Sequence, residues 1–195
     1  LAHALPELQL VGLSAVAGNS PLSNTFPNTR RIVHLIGADY PVYPGAEKPL
    51  VRELQIAGAF HGKNGLGDVE LPLPDTAPET TSAWDALYEA AKRMPGELRL
   101  VATGPLTNAA IALSKYPDLA SLLHSISLMG GAAAGGNVTP AAEFNIYDDP
   151  EAAQIVFKCG APVVMCGLDV TMQAELRPED WDEMIDTNIR GLLTM

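Results

Sequence analysis

The sequence predicts an α/β fold, an open and mostly parallel sheet with helices on both faces, and two observations carry that expectation. Apolar runs of strand length alternate with segments of helical period, and the glycine-rich or polar stretches fall directly after the strands. Ligands of open parallel sheets sit outside the carboxyl ends of the strands, joined by right-handed crossovers, so one rim is expected to collect those stretches.

The elements follow in order. Leu8 to Val16, "LQLVGLSAV", reads as the first strand, closed by Ala17-Gly18-Asn19, and a helix over Asn28 to Ile36 is stopped by Gly37. Pro41 to Leu50 holds one short strand at most, and "HGKNGLGD", His61 to Asp68, is a glycine-punctuated loop. Trp84, Leu87, Tyr88 and Ala91 give a helix from Ser82 to Arg93, ended by Pro95-Gly96 before the strand Leu98 to Ala102. Pro105 opens a helix through Tyr116, and a turn from Pro117 leads to the strand Ser125 to Met129. Asp149, Pro150 and Glu151 read as a cap, a proline at the first helical position and an acid favoured by the helix dipole. That helix runs to about Lys158, and "APVVMCG" supplies another strand. Ile189, Leu192 and Leu193 suggest a further helix near the end, and no internal repeat or linker divides the chain.

Composition narrows the classes. At 195 residues, 47% hydrophobic and 18% charged, the chain suits one domain over 1–195 with a substantial core. A net charge of -11 argues against nucleic acid as a partner, because a phosphate binder carries a basic stripe. No apolar run is long enough to span a bilayer and "LAHALPELQL" lacks a signal-peptide pattern, which together give a cytoplasmic expectation without a membrane partner. Cys159 and Cys166 are too few and too isolated for a disulfide scaffold or a zinc site, and read as buried free thiols.

Several constellations invite a chemical reading. "TGPLTN", Thr103 to Asn108, could offer helix N-terminal amides to an anion or a strand-end carbonyl to a hard cation, or be a plain strand-to-helix turn. Asn19 in "AGN" has the same open status, and His61 either faces a ligand or is a solvated loop histidine. The long segment Gly130 to Asn145 is harder to explain as packing, because it carries Asn137, Glu143 and Asn145 just after a strand. Glu143 and Asn145 alternate with Phe144 and Ile146, so an extended backbone would put both polar groups on one side. Asp148 and Asp149 both read as groups of the helix start.

Taken together, "VGLSAVAGN", "PVYPGAEKPL", "FHGKNGLGD", "VATGPLTNAAIAL", "SLMGGAAAGGNVTPAAEFNIYDDPEAA" and "VMCGLDVT" resemble the calcium-dependent inosine/uridine-preferring nucleoside hydrolases, from about Glu7 to Thr171. The resemblance implies a Rossmann-type core and hydrolysis of the N-glycosidic bond of ribonucleosides to ribose and free base. By position it implies that Asn137, Glu143 and Asn145 hold the ribose hydroxyls, with Met129 packing near the sugar and Asn19 reaching towards the sugar or a bound water. It implies that Thr103 gives its carbonyl to calcium, that His61 lies near the base, and that the protein is a homo-oligomer.

The family's aspartate cluster DxDxGxDD, which supplies metal ligands and the general base, is not among these residues, nor is its later His-Asp pair. "LAHALPEL" resembles the helix just after that cluster, so the expectation is a single hydrolase domain lacking both its first strand and its C-terminal part. These residues alone are then expected to show little or no turnover, and an exposed strand edge and apolar sheet face to favour association. The competing expectation is a non-catalytic remnant that binds sugar or another subunit.

Overall fold

The computed structural model describes residues 2–174, so the helix expected around Ile189, Leu192 and Leu193 lies outside the described residues. The chain forms parallel strands alternating with helices, as an open α/β protein. Strands β1 (Leu13–Ser14) and β2 (Val42–Tyr43) pair in parallel, and β3 (Arg99–Ala102), β4 (Ser125–Met129) and β5 (Val163–Cys166) form a second parallel sheet in that order. Among the described residues the expected single sheet is therefore two, because no described strand pairs with both β1 and β3.

The first strand is far shorter than Leu8 to Val16. Only where Pro41 to Ala46 runs alongside does the backbone find partners, with Leu13 N–H donating to Pro41 O at 2.9 Å, Ala15 N–H to Tyr43 O at 3.0 Å and Ala17 N–H to Ala46 O at 2.9 Å. Residues 8–10 meet no such neighbour, and the start of the chain makes a 3-10 turn, Ala2–Ala4, in place of the expected helix remainder.

Helix α1 spans Leu22–Leu35, six residues earlier than the spacing suggests. Pro21 caps it, its carbonyl accepting from the Asn24 and Thr25 N–H groups, and Pro27 lies inside the helix although prolines ordinarily mark a first turn. Its end is as expected: Gly37, at φ +66°, donates to His34 O while Ala38 N–H reaches Val33 O, the paired bonds of a Schellman stop. One turn, α2 (Gly58–His61), precedes the glycine loop.

Helices α3 (Ala83–Arg93), α4 (Thr107–Lys115) and α7 (Pro150–Phe157) make the core with β3, β4 and β5, while α5 (Leu119–Leu122) replaces the turn after Pro117. Ser82 caps α3 by accepting from Asp85 N–H, and Asp149 caps α7 by accepting from Ala152 N–H. Alanines at 91, 109, 110, 112, 152 and 153 are buried where these helices meet, small enough to bring the backbones together around Leu106, Leu119, Ile126, Leu128 and Val156.

All of this cover lies on one side of β3–β4–β5. Val101, Ser127 and Val164 stand in register on the other side, with Val101 68% and Val164 54% exposed. Successive right-handed crossovers travelling the same way across a sheet must place their helices on the same face. Cys159 and Cys166 are free but half-buried rather than buried. No described helix is long and apolar enough to cross a membrane.

Candidate functional site

The carboxyl ends of β3 and β4 meet at Asn145. From sequence this residue lies on an irregular segment whose two polar groups would share a side if extended, but Phe144–Asp148 forms a helical turn, α6, with Glu143 as its cap. Alternation of polar and apolar residues resembles a strand, whereas the decisive interaction is a capping one: Glu143 Oε2 accepts from Ile146 N–H at 3.2 Å and from Gly131 N–H at 2.8 Å. The carboxylate thereby staples α6 to the turn after β4, where Gly131 adopts φ +70°. Glu143 and Asn145 are both buried.

Asn145 Nδ2 donates to Met129 O at 3.0 Å and lies 3.3 Å from Met129 Sδ, with a longer contact of 3.5 Å to Thr103 O. One amide thus joins the ends of β3 and β4 and fixes which of its atoms faces outward. Asn137 is exposed on the loop and accepts from Phe144 N–H at 2.9 Å, which ties it to the start of α6. The loop itself closes on an Ala142 carbonyl that accepts from the Asn137 and Val138 N–H groups. Its base is held by Leu168 N–H donating to Gly131 O and Ala133 N–H donating to Asp169 Oδ1, both at 2.9 Å.

Asn19 is exposed beyond β1, on the same rim. A Cβ at the preceding Gly18 would lie 2.8 Å from Pro105 Cδ, and one at Gly104 would lie 3.4 Å from Val16, so the turns after β1 and β3 are in contact. The Asn19 carbonyl also accepts from Ala57 N–H at 2.9 Å, immediately before α2. His61, at the end of α2, is exposed, and its ring makes no hydrogen bond among the described residues. The structure therefore joins Thr103, Met129 and Asn145 by hydrogen bonds, ties Asn137 and Glu143 to the backbone around α6, brings the turn that carries Asn19 into contact with the turn after β3 through Gly18 and Pro105, and links His61 to that turn through the backbone of α2 and the residue before it.

Two aspartates behave differently from the reading of both as helix-start groups. Asp149 does cap α7, but its Oδ2 also accepts from Thr107 Oγ1 at 2.6 Å and Leu50 N–H at 2.9 Å. Asp148 belongs to the end of α6, is fully buried, and accepts from Gln55 N–H at 3.3 Å through Oδ1 while its Oδ2 has no partner. Burial, against the weaker help of the Gln55 amide and with Asp149 adding repulsion, raises its pKa to about 6. The pair pins the segment from Leu50 to Gln55, aided by the exposed Arg52–Glu151 ion pair at 3.0 Å. The sequence signal available was the Asp-Asp-Pro run itself, since one cap needs only one carboxylate.

Because the folded Asp148 holds its proton up to about pH 6, its stabilising contribution is complete below the ordinary carboxylate range and is lost as pH rises through about 6. Asp148→Asn is expected to flatten the difference in unfolding free energy between pH 8 and pH 5 by about 1 to 2 kcal/mol. Urea titrations of both proteins across that range measure it, and parallel pH profiles would refute the assignment.

Thr103 offers one exposed carbonyl already facing Asn145, and among the described residues no group of three or more His, Cys, Asp or Glu side chains could hold a metal ion.

The polar groups lie at the strand ends of a parallel sheet, the edge at which open α/β proteins carry their ligands. Residues 1–193 match the family described as inosine-uridine preferring nucleoside hydrolase, and the chain belongs to that family. A pyrimidine-specific ribonucleoside hydrolase, RihA, of Citrobacter koseri is 48% identical over 181 residues, covering 92% of this chain and 58% of the relative. Among solved structures, the purine-preferring ribonucleoside hydrolase from Gardnerella vaginalis superposes with a TM-score of 0.90 at 37% identity, over 94% of this chain and 60% of that one. The plant nucleoside hydrolase PpNRh1 gives 0.82 at 41% identity, over 86% and 54%. The chain thus spans somewhat over half the length of these relatives.

Proposed function

We propose that this chain forms the ribose-gripping part of a nucleoside hydrolase, in which water replaces the base at the anomeric carbon of a ribonucleoside. The C–N bond breaks with its electron pair leaving on the base, the base takes up a proton, and the products are ribose and free base. The observation that carries the reading is the buried pair Glu143 and Asn145, held by backbone groups at the ends of β3 and β4, with the exposed Thr103 and Asn137 bonded to the same segment and the turn that carries Asn19 in contact with Pro105.

The chemistry suits such groups. Positive charge develops on the ribosyl ring as the glycosidic bond breaks, so a carboxylate and amide oxygens gripping the hydroxyls bind the transition state more tightly than the ground state. Glu143 spends Oε2 on two backbone amides, which fixes the carboxylate without consuming its other oxygen. In this reading Asn137, Glu143 and Asn145 take the hydroxyls, Met129 packs near the sugar, Asn19 reaches towards it from β1, and His61 lies on the base side. Pyrimidine-specific and purine-preferring proteins both stand among the relatives, which fits a shared part that recognises the sugar rather than the base.

Calcium, implied by the family resemblance, would need ligands beyond the described residues to accompany the Thr103 carbonyl. The aspartate cluster that the resemblance associates with the metal and the general base is also not in the sequence of 195 residues. The domain reading is accordingly one hydrolase domain in which these residues bind sugar and contribute little turnover alone; a homo-oligomeric state goes with the same reading. Reducing-sugar release from inosine and uridine with calcium, with and without a chelator, tests it. Ribosyl binding without chelator-sensitive turnover is the expected outcome for these residues. Chelator-sensitive turnover would contradict the missing-group account, and absence of any ribosyl binding would contradict the grip.

A further inference from the structure

The two described sheets share no ladder, yet the proposed grip draws on both: Asn19 follows β1, whereas Thr103, Met129 and Asn145 belong to the β3–β4 side. Something must set the distance between these halves. Asn108, in the first turn of α4, is placed to do so. Its Nδ2 donates to Ala15 O at 2.9 Å, at the end of β1, and its Oδ1 accepts from Ala46 N–H at 2.8 Å, just past β2. The fit is close, because a Cβ at Gly45 would lie 2.1 Å from Ala15 O and 2.3 Å from Asn108 Nδ2.

From this geometry we propose that Asn108 is a positioning residue that fixes the β1–β2 ledge, and with it Asn19, against the rim carrying Thr103 and Asn145. The inference rests on the ribose-binding reading for its functional consequence. Asn108 follows Thr103 on the turn from β3 into α4, and Asn19 follows Ala15 on the turn from β1 into α1, so its amide ties together the roots of the two turns. Ala83 N–H also donates to Pro44 O at 2.8 Å and so ties the chain after β2 to α3, Gly18 meets Pro105 by van der Waals contact, and the segment from Leu50 to Ala57 joins Asp149 to the Asn19 carbonyl, but of these links only the Asn108 amide bonds the backbone at Ala15 and at Ala46 together. Asparagine is required because the tie needs one donor and one acceptor on the same planar group. An aspartate of the same shape keeps the acceptor for Ala46 and sets a negative oxygen against the Ala15 carbonyl.

A mutant cycle on the full chain with uridine as probe separates positioning from general loosening. Alone, Asn19→Ala and Asn145→Ala are each expected to weaken uridine binding about tenfold, the value of one hydrogen bond to a ligand. In an Asn108→Ala background Asn19→Ala should cost less than about twofold more, because its half is already displaced, while Asn145→Ala keeps its full factor. Asn108→Asp should behave as Asn108→Ala. Equal Asn19→Ala factors in both backgrounds would overturn the proposal, since a merely structural role weakens both halves alike.

Hydrogen exchange supplies a readout that needs no sugar. Asn108→Ala should speed exchange at Ala46 and residues 15–19 while leaving 143–147 protected, and unchanged exchange at Ala46 would overturn the tie. Failure of the wild-type chain to bind uridine would count against the ribose reading alone, with the exchange pattern still deciding the role of Asn108.

Discussion

Asp149→Ala is expected to lower the unfolding free energy by about 3 to 5 kcal/mol, among the largest losses for a single side chain here. Asp149 is completely buried, and its two oxygens serve three donors on separate parts of the chain: Ala152 N–H in α7, Thr107 Oγ1 in α4 and Leu50 N–H in the segment after β2. Truncation leaves the buried Ala152 and Thr107 donors without an acceptor, and frees the part-buried Leu50 N–H as well, while each unmet buried group costs about 1 to 3 kcal/mol. Loss of the cap alone would account for only about 1 kcal/mol. Urea unfolding of wild type and variant measures the difference, and a loss below about 1 kcal/mol would mean that the carboxylate is a helix cap and nothing more.

Glu143→Gln should do the opposite, sparing the fold and damaging binding. A glutamine oxygen can still accept from Gly131 and Ile146 N–H, so the staple between α6 and the β4 turn persists and the urea midpoint should hardly move. What disappears is the negative charge offered to the sugar hydroxyls, for which a loss of about 10² in ribosyl affinity or turnover is expected. Calorimetric titration with uridine measures it. An unchanged affinity would remove Glu143 from the grip, and a collapse of stability would show that the charge serves the staple instead.

The strongly local signals were legible in the sequence. Ser125 to Met129 forms the expected strand, Ser82 and Asp149 cap as their residue types suggest, and Gly37 stops α1, because each depends on neighbours within a turn. Two departures come from competing local rules. The alternation from Glu143 to Ile146 suits an extended backbone, yet capping by Glu143 makes it helical, and Leu8 to Leu10 is apolar enough for a strand but has no partner backbone. The remaining features rest on contacts distant in sequence. Asp148 meets Gln55 across 93 residues, and Asn108 reaches Ala15 across 93 and Ala46 across 62, so nothing beside them in the chain announces the partner. The rim was legible because fold class alone places every strand end on one side.

Convergence of the turns after β1, β3 and β4 on a single pentose is most directly tested by following the side-chain amide resonances of Asn19, Asn137 and Asn145 as uridine is added. All three should shift with one common midpoint, and free ribose should reproduce the pattern at higher concentration. An Asn19 signal that stays still while Asn145 saturates would show that the two sides of the rim do not hold the same sugar.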